Sequence, residues 1–348
     1  MSAISHSPIV SVVIPIKGRP QLFELTVKSL LHQTYPHWEA IVVDDSSIAS
    51  EFGCIAEIAH TDQRIRLLRN SGPRQGACAC RNEGFAAATG KYIIFLDSVD
   101  ALAPVCLAFR TAYLSTHPEL DFSAFLLWNF RDQPGDSTAL WNVFDDTDDI
   151  ERFFAGDAPW QTSCPIWHRT ALDRLGGWDV RVRNWQDGDF HLRALINGFK
   201  YDKVPRPDAF WRLSGSAGSI SSNSYKPINV ITRIRMIGRM GELLRARGGL
   251  TERRRRTISS QFYRHAFRTR LARRYAMAVW ALGRRLALVN RREFWCALLI
   301  ESSERSIRHL ARRAARMLYP EIECRARYGV YHHSIRIPDS PASKPPVQ

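Results

Sequence analysis

The sequence predicts an α/β fold, in which a mostly parallel sheet is flanked by helices and followed by an arginine-rich helical segment. Two observations predict this arrangement. Over the first hundred residues, short β-branched runs alternate with helical patterns of apolar residues, and that order of elements is typical of parallel sheets. Beyond about Pro227 the apolar residues follow helical spacing, and arginine fills many of the positions between them.

The first part of the chain is predicted to alternate strands and helices in order. The predicted strands are residues 11–14, 40–43, 65–68 and 92–96. The predicted helices are one that begins at Pro20 and those of residues 52–59 and 76–88. Ligands of such sheets bind beyond the carboxyl ends of the strands. Four carboxylates fall at those ends: Asp44, Asp45, Asp97 and Asp100.

The remainder of the α/β region is predicted to be less regular. Its predicted helices are residues 104–116, 170–175 and 190–196, and its strands are 121–130 and 163–168. Residues 133–149 are polar and acidic and are predicted to form a loop, and the Gly/Ser-rich residues 214–224 a mobile one. The sequence thus divides into an α/β domain (1–226), a basic helical region (227–337) and a disordered tail (338–348).

The net charge of +15 is unevenly distributed. Residues 231–330 contain 25 arginines and seven glutamates but no lysine or aspartate, a net of +18, which leaves −3 for the rest of the chain. A segment of this kind indicates a polyanionic partner: anionic lipid, nucleic acid or an acidic acceptor. An anionic membrane surface and plain packing on the α/β domain explain it equally well. Specific nucleic-acid binding ranks below both, because no base-reading motif accompanies the arginines.

The cysteines and the apolar stretches indicate a cellular compartment. Seven cysteines are scattered between Cys54 and Cys324 without a CxxC pair, a pattern typical of reduced thiols. The first residues lack the pattern of a signal peptide. The most apolar stretch, residues 275–300, is interrupted by four arginines and is therefore not expected to span a bilayer. We expect a cytoplasmic protein that can associate peripherally with the inner face of the cell membrane.

Four stretches of the sequence, in this order, resemble glycosyltransferase family 2. They are SVVIPIKGRP (11–20), IVVDDSS (41–47), GACACRNEGFAAATGKYIIFLDSVD (76–100) and GGWDVRVRNWQDGDFHLRALINGFK (176–200). Each is weak alone, but their order and spacing over residues 11–212 are specific. The resemblance implies a GT-A-like fold and an inverting transferase of cell-surface polysaccharide synthesis. Such an enzyme moves a sugar from a nucleotide diphosphate, here expected to be UDP, to a hydroxyl of a glycan or lipid-linked acceptor.

The resemblance also implies a donor site. Asp44 or Asp45 would accept a hydrogen bond from the base, although an Asp-Asp-Ser-Ser sequence equally suits a turn or a helix cap. Arg81 would reach the base or the diphosphate, since a guanidinium fork suits phosphate oxygens, and its alternative is a solvated helix face. Asn82 is expected to brace a neighbouring loop. The predicted donor-binding residues are Pro15, Ile16, Asp44, Asp45, Arg81, Asp97 and Arg212.

A divalent metal, Mg²⁺ or Mn²⁺, is implied by the similarity of residues 97–100 to the Asp-x-Asp motif. The predicted ligands are Asp97 and Asp100, but Val99 stands at the usual ligand position and offers no oxygen. Three explanations remain open. Asp100 ligates after a backbone shift, Asp97 holds the ion with water and the diphosphate, or the protein has lost much of its activity. Ser214 stands where some family members carry a histidine near the phosphates.

Asp187 is the predicted catalytic base. It lies where the family has a Glu-Asp pair, with Gln186 replacing the glutamate. Inverting transfer needs one carboxylate to accept the proton of the acceptor hydroxyl. Asp189 is the weaker candidate, and helix capping by both is the plain alternative. Two other functions stay open: a catalytically impaired sugar-nucleotide-binding homologue, favoured by Val99 and Gln186, and, with less support, a nucleic-acid-binding protein.

Overall fold

The computed structural model describes residues 9–70, 72–213, 227–265, 273–293 and 335–336. They form one sheet with helices packed against it. The strands are β1 (Val10–Ile16), β2 (Trp38–Asp44), β3 (Ile65–Arg69), β4 (Tyr92–Phe95), β5 (Ala101–Leu102), β6 (Phe122–Phe130), β7 (Ala139–Leu140), β8 (Pro165–His168), β9 (Tyr201–Arg212) and β10 (Ile335–Arg336). The helices are α1 (Pro20–Leu31), α2 (Ala49–Ala59), α3 (Ala77–Ala87), α4 (Cys106–Thr116), α5 (Asp149–Ala155), α6 (Arg169–Leu175), α7 (Gln186–Ile196), α8 (Pro227–Ala246), α9 (Glu252–Tyr263) and α10 (Arg273–Arg285).

The sheet has the strand order β10-β7-β6-β8-β4-β1-β2-β3, and β9 pairs with both β6 and β5. The long pairings are parallel: β1 with β2 and β4, β2 with β3, and β6 with β9. The short β8 is antiparallel to both of its neighbours, β4 and β6. The register pairs Ile16 with Asp44, so the carboxyl ends of β1 and β2 lie side by side. This arrangement confirms the predicted α/β class.

Strands β1 and β2 are central because their residues are buried at every position, as the near-continuous apolar runs of buried parallel strands require. Helix α3 packs closely on them because its sequence is rich in small residues. A Cβ atom on Gly84 would lie 2.5 Å from Val13 Cγ1 and 3.2 Å from Val43 Cγ2, so only glycine permits this approach. The close packing brings the N-terminus of α3 to the carboxyl edge of the sheet.

Two predicted boundaries were wrong. Helix α7 begins at Gln186 rather than near Phe190, so Asp187 lies in its first turn. The segment 133–149, predicted to be a loop, contains β7 and the beginning of α5. The side chain of Asp148 caps α5 by accepting a hydrogen bond of 3.2 Å from the backbone N–H of Glu151.

Strand β9 was not predicted, and it carries prolines at positions 205 and 207. The structure accommodates them where the β6–β9 register shifts, between Phe125 and Leu127, because proline cannot donate to a regular ladder.

A buried ion pair holds α4 against β9. The Arg110 guanidinium donates two hydrogen bonds, of 2.8 and 2.6 Å, to the two carboxylate oxygens of Asp208, and both side chains are fully buried. A third bond, of 2.9 Å, reaches the carbonyl of Ser163. Burial raises the pKa of Asp208, although the neighbouring Arg110 acts in the opposite direction. The pair thereby fixes the segment before β8, which lies next to the 97–100 turn.

The described part of the basic region packs on the α/β domain, α9 against α5 and α8 against α7. Arg253 pairs with Glu151 at 2.7 Å and Arg254 with Asp148 at 2.6 Å. Arg255 pairs with Glu252 and Glu293. Arg253 and Arg254 thus contact the α/β domain, Arg255 pairs within the basic region, and binding to an anionic membrane stays a prediction. The predicted loop 214–224, the tail 338–348 and residues 294–334 lie outside the described residues.

Five of the seven cysteines fall among the described free thiols: Cys54, Cys78, Cys80, Cys106 and Cys164. Burial raises the pKa of Cys78 and of Cys80 to about 12, so neither forms a reactive thiolate near neutral pH. No helix in the part of the chain that the structure describes is both long and apolar enough to cross a bilayer.

Candidate functional site

A cavity of about 750 Å³ opens beyond the carboxyl ends of β1 and β2, next to the N-terminus of α3. Its walls carry four basic side chains and one carboxylate. The lining residues are Lys17, Asp45, Pro73, Arg74, Gln75, Gly76, Ala77, Cys78, Val180, Arg181, Val182, Arg183 and Gln186. The N-terminus of a helix attracts anions through its backbone N–H groups and its dipole. Such a cavity is suited to a molecule that combines a hydrogen-bonding ring with phosphates.

Asp44 and Asp45 have different environments. Asp44 is fully buried and accepts hydrogen bonds from both the backbone N–H and the hydroxyl of Ser47. Asp45 lies in the cavity wall, where it accepts bonds from Asn70 Nδ2 at 3.2 Å and from the Gly76 N–H at 2.9 Å. Of the two candidates for base recognition, only Asp45 can meet a molecule in the cavity.

The turn between β2 and α2 has a strained backbone next to this carboxylate. Ser46 adopts a left-handed conformation with φ of 64°, which is uncommon for a residue with a side chain. The N–H of Asp45 donates to the carbonyl of Ile16 at 2.7 Å, and the N–H of Gly18 donates to the Ser47 hydroxyl at 2.7 Å. Pro15 and Ile16 are buried beneath the cavity, so they support Asp45 and do not line the wall.

Arg81 joins the cavity to the Asp97 turn. Its guanidinium donates to Asp97 Oδ1 at 2.7 Å and to Gln186 Oε1 at 3.1 Å, and it lies 4.5 Å from the centroid of the Trp178 ring. The residue is only 4% exposed, so the alternative of a solvated helix face is wrong. Gln186 belongs to the cavity wall, whereas Arg81 and Asp97 lie behind it.

Asp187 is the next residue after Gln186 and is half-buried in the first turn of α7. Its Oδ1 accepts a hydrogen bond of 2.9 Å from the Gly188 N–H. Burial raises the pKa of the Asp187 carboxyl, and the charge of Asp97 adds to this rise, while the Gly188 bond and Arg81 oppose it. A carboxylate with a raised pKa is a stronger base at neutral pH, which suits proton abstraction.

Asp189 is engaged within the protein. Its carboxylate is nearly fully buried and forms ion pairs with Arg193 at 3.0 Å and with Arg239 at 2.5 Å. Both of its carboxylate oxygens are therefore occupied by arginines, whereas one oxygen of Asp187 accepts from its neighbour Gly188. His191, on the following turn, is also buried, and burial lowers the pKa of its ring to about 3. The ring is neutral and belongs to the core.

Asp100 points into the protein and not towards the cavity. Its carboxyl is 1% exposed and accepts bonds from the Ser163 hydroxyl at 3.2 Å and from the Arg212 N–H at 3.1 Å. Burial, and then the charge of Asp97, raise its pKa well above the usual range. In this conformation Asp100 cannot ligate a metal, contrary to its predicted role.

The other predicted metal ligand is Asp97. Asp97 is the accessible carboxylate of the motif, and one of its oxygens is bound by Arg81. Among the residues that the structure describes, no group of three His, Cys, Asp or Glu side chains could hold an ion. Of the two predicted ligands, Asp97 is thus the one whose carboxylate is exposed in this conformation.

Arg212 holds the 97–100 turn, which differs from its predicted contact with the donor. Its Nε donates to the Val99 carbonyl at 3.2 Å and its Nη1 to the Arg131 carbonyl at 2.7 Å. The guanidinium also lies over the Phe130 ring at 4.4 Å. Arg212 therefore stabilises the 97–100 turn.

Five residues of the cavity wall were not predicted: Lys17, Arg74, Gln75, Arg181 and Arg183. All five lie within or just beside the stretches that resemble the family. A usable signal was present, because basic residues that directly follow a strand or directly precede a helix reach the carboxyl edge of a parallel sheet.

The strand order and the cavity at the carboxyl edge define an α/β protein with a ligand site where its parallel strands end. Residues 11–122 match the family described as "Glycosyl transferase family 2". This part of the chain is thus similar to glycosyltransferase family 2.

Similar proteins agree with this assignment. WcaA of Escherichia coli K12, named for colanic acid biosynthesis, is 35% identical over 126 residues, which are 36% of this chain and 44% of WcaA. The Escherichia coli enzyme WfgD, a UDP-Glc:alpha-D-GlcNAc-diphosphoundecaprenol beta-1,3-glucosyltransferase, is 36% identical over 92 residues, 26% of this chain and 35% of WfgD. The chain thus spans less than half the length of these curated relatives.

A solved structure shows the same fold. The S. aureus TarS fragment 1-349, crystallised in complex with UDP-GlcNAc, superposes with a TM-score of 0.63 at 17% identity, covering 93% of each chain. Because its sequence identity is low, this likeness establishes the GT-A fold and nothing further.

Proposed function

We propose that the protein is an inverting glycosyltransferase that transfers a sugar from a nucleotide diphosphate, with UDP as the nucleotide, to a hydroxyl of a glycan or lipid-linked acceptor. The observation that carries this proposal is the cavity. Asp45 can accept a hydrogen bond from the base, while basic side chains and the N-terminus of α3 can bind the diphosphate. The UDP-GlcNAc complex of TarS and the UDP-Glc donor of WfgD support the choice of UDP.

Asp187 would act as the base in the transfer step. The acceptor oxygen attacks the anomeric carbon from the side opposite the leaving group, and a new C–O bond forms. The bond between that carbon and the phosphate oxygen breaks, and the nucleoside diphosphate leaves with the electron pair. The acceptor proton passes to Asp187. Its place beside Gln186 at the cavity wall and its raised pKa support this role.

Polysaccharide assembly on a lipid-linked acceptor at the inner face of the membrane is the setting we propose. Its support is the relatives: WcaA is named for colanic acid, and the printed name of WfgD specifies a diphosphoundecaprenol-linked acceptor.

We further propose that donor binding depends little on a divalent metal. Val99 has no oxygen to offer, Asp100 is buried, and Arg81 places a positive charge 2.7 Å from Asp97, where a cation would compete with it. Titration of UDP into the protein should therefore give a similar affinity in EDTA and in Mn²⁺, whereas Val99→Asp should create a preference for Mn²⁺. Loss of all UDP binding in EDTA would contradict this proposal.

A second candidate is a homologue that binds sugar nucleotides without transferring the sugar. The favouring observation is Gln186, which stands where the family has glutamate and whose oxygen is occupied by Arg81. Release of UDP from a UDP-sugar, by transfer or by slow hydrolysis, would exclude this candidate.

A thermal-shift panel tests the donor assignment. UDP and UDP-sugars should raise the melting temperature more than ADP, GDP or their sugars do, because a ligand that binds only the native state stabilises it by mass action. Equal or absent shifts across the panel would overturn it.

A further inference from the structure

The segment between α6 and α7, residues 176–185, forms one wall of the cavity and leads directly to Asp187. We call it the 176–185 loop. On one side it is held by α3, as expected for Asn82. Asn82 Oδ1 accepts a bond of 2.7 Å from the Trp178 N–H, and its Nδ2 donates to the Trp178 carbonyl at 2.9 Å. Four of the loop's residues line the cavity: Val180, Arg181, Val182 and Arg183.

The other side of the loop is held by α8, from the basic region. One amino group of the Arg239 guanidinium pairs with Asp179 in the loop, and the other pairs with Asp189 in α7, each at 2.5 Å. One turn and a half earlier on α8, Arg233 donates to Asn184 Oδ1 at 2.8 Å. The two arginines thus contact the loop near both of its ends.

Arg233 also supports the strained residue before the helix. Its guanidinium lies 5.2 Å from the ring centroid of Trp185, which adopts a left-handed conformation with φ of 61°. A bulky residue in that conformation costs about 1–3 kcal/mol and persists only where surrounding contacts enforce it. The Trp185 ring packs so tightly on Gly188 that a Cβ atom there would lie 2.9 Å from it.

We propose that Arg239 is a positioning residue for catalysis, and that α8 fixes the orientation of Asp187 and of the cavity wall through it. The inference rests on the proposed function in that Asp187 is taken as the base. Arg239 ties together two carboxylates that flank Asp187 in the chain, so the loop and the first turn of α7 move as one body. The basic region is then a structural part of the site.

The guanidinium is required for its shape as well as its charge. Its two amino groups form a rigid planar fork and can each hold a separate carboxylate, whereas a lysine ammonium is a single point of charge. Each carboxylate also has a second partner: Asp179 pairs with Arg181 at 2.9 Å, and Asp189 with Arg193 at 3.0 Å. Removal of Arg239 therefore leaves neither charge unpaired, and the variant is expected to fold.

The experiment compares Arg239→Met and Arg239→Lys with Arg235→Met, which removes an exposed arginine from the same helix. We expect both Arg239 variants to lower kcat by about 100-fold, the cost of a misplacement of roughly 1 Å, with a smaller change in KM for the donor. Hydrogen exchange should show lost protection of the backbone amides of residues 179–189 in both variants. Arg235→Met should match the wild type in both measurements.

The two measurements separate the inference from the function on which it rests. If the wild type transfers no sugar, the proposed function fails, while hydrogen exchange still reports on the Arg239 contacts. Unchanged protection of residues 179–189 in Arg239→Met would overturn the positioning role, as would full activity. If Arg239→Lys restores both kcat and protection, charge alone suffices and the proposed two-carboxylate link is wrong.

Discussion

Asp44 and Asp45 are neighbours in the chain, but the structure gives them separate tasks, and this separation can be tested. Asp45→Asn should weaken UDP binding by about tenfold, since a hydrogen bond to a charged group contributes about 1.5–3 kcal/mol. Asp44→Asn should instead destabilise the fold, because the buried N–H and hydroxyl of Ser47 lose their charged acceptor, at a cost of about 1–3 kcal/mol. Calorimetric titration and thermal unfolding measure the two effects. A larger loss of UDP affinity in Asp44→Asn than in Asp45→Asn would reverse the assignment.

If Asp187 is the catalytic base, both the turnover of its variant and the pH dependence of the wild-type activity can be predicted. Asp187→Asn should keep donor binding and lower turnover by about 10²–10⁴-fold. Because burial raises the pKa of this carboxyl, the base becomes protonated at a higher pH than an ordinary aspartate would. The activity of the wild type should therefore fall with decreasing pH above the usual range near 3.9. The exposed Asp173→Asn serves as a control and should leave the profile unchanged. Wild-type turnover in Asp187→Asn would move the base elsewhere.

Individual residues were predictable from the sequence where chemistry and position coincide. Asp45 lines the cavity because it follows a parallel strand, and the ends of such strands share one edge of the sheet. Arg81 joins Asp97 to Gln186 in the cavity wall, and Asp187 follows Gln186 in the chain, but the roles of these residues stay predictions. Burial was not predictable. The spacing of residues 97–100 does not indicate that Asp100 is buried and accepts hydrogen bonds from Ser163 and Arg212, since those partners lie far along the chain.

At the scale of elements, the contact of α3 with the sheet can be tested at a glycine. Gly84→Ala should destabilise the protein by about 1–3 kcal/mol, because the added methyl group would overlap Val13 and force the helix away from β1. Gly53→Ala in α2 is the matched control. No atom lies within 4 Å of a Cβ built there, so alanine should be neutral or stabilising by up to about 1 kcal/mol. Urea unfolding measures both. Equal stability of the two variants would show that α3 does not pack as closely as described.

The elements themselves were predicted unevenly. Strands with continuous apolar runs, such as β1 and β2, were found because burial on both faces leaves a clear signature. Strand β9 was missed because its prolines and charged residues obscure the pattern, and its place depends on pairing with β6. The beginning of α7 was set too late because the acidic residues of its first turn resemble a loop, although such residues favour a helix N-terminus.

For the whole molecule, the position of the excess positive charge was predictable from the sequence, but the ion-pair partners of the arginines were not. The excess of arginine in the basic region is plain from the sequence, but the acidic partners of α9 lie on α5 and at Glu293, about 40 to 100 residues away along the chain. Arg253 meets a buried carboxylate, that of Glu151, and Arg254 meets the N-cap of α5. The charges of the two layers are thus complementary where they touch.

The arginines of α9 could hold this helix on α5 or bind an anionic membrane, and the two roles lead to different expectations for charge-reversal variants. If they hold α9 on α5, the double reversal Arg253→Glu and Arg254→Glu places like charges against Asp148 and the buried Glu151. The melting temperature should then fall by several degrees, at about 2–4 °C per kcal/mol for a domain of 150–250 residues. The exposed Arg247 provides the control, and Arg247→Glu should leave the melting temperature unchanged.

Binding of the arginines to anionic lipid is measured by co-sedimentation with phosphatidylglycerol vesicles at low salt, since salt screens this attraction and weakens it. We expect the wild type to co-sediment and Arg247→Glu to do so nearly as well. A double reversal that keeps the wild-type melting temperature but abolishes vesicle binding would show that these arginines face lipid, and that the ion pairs with α5 do not hold the layers together.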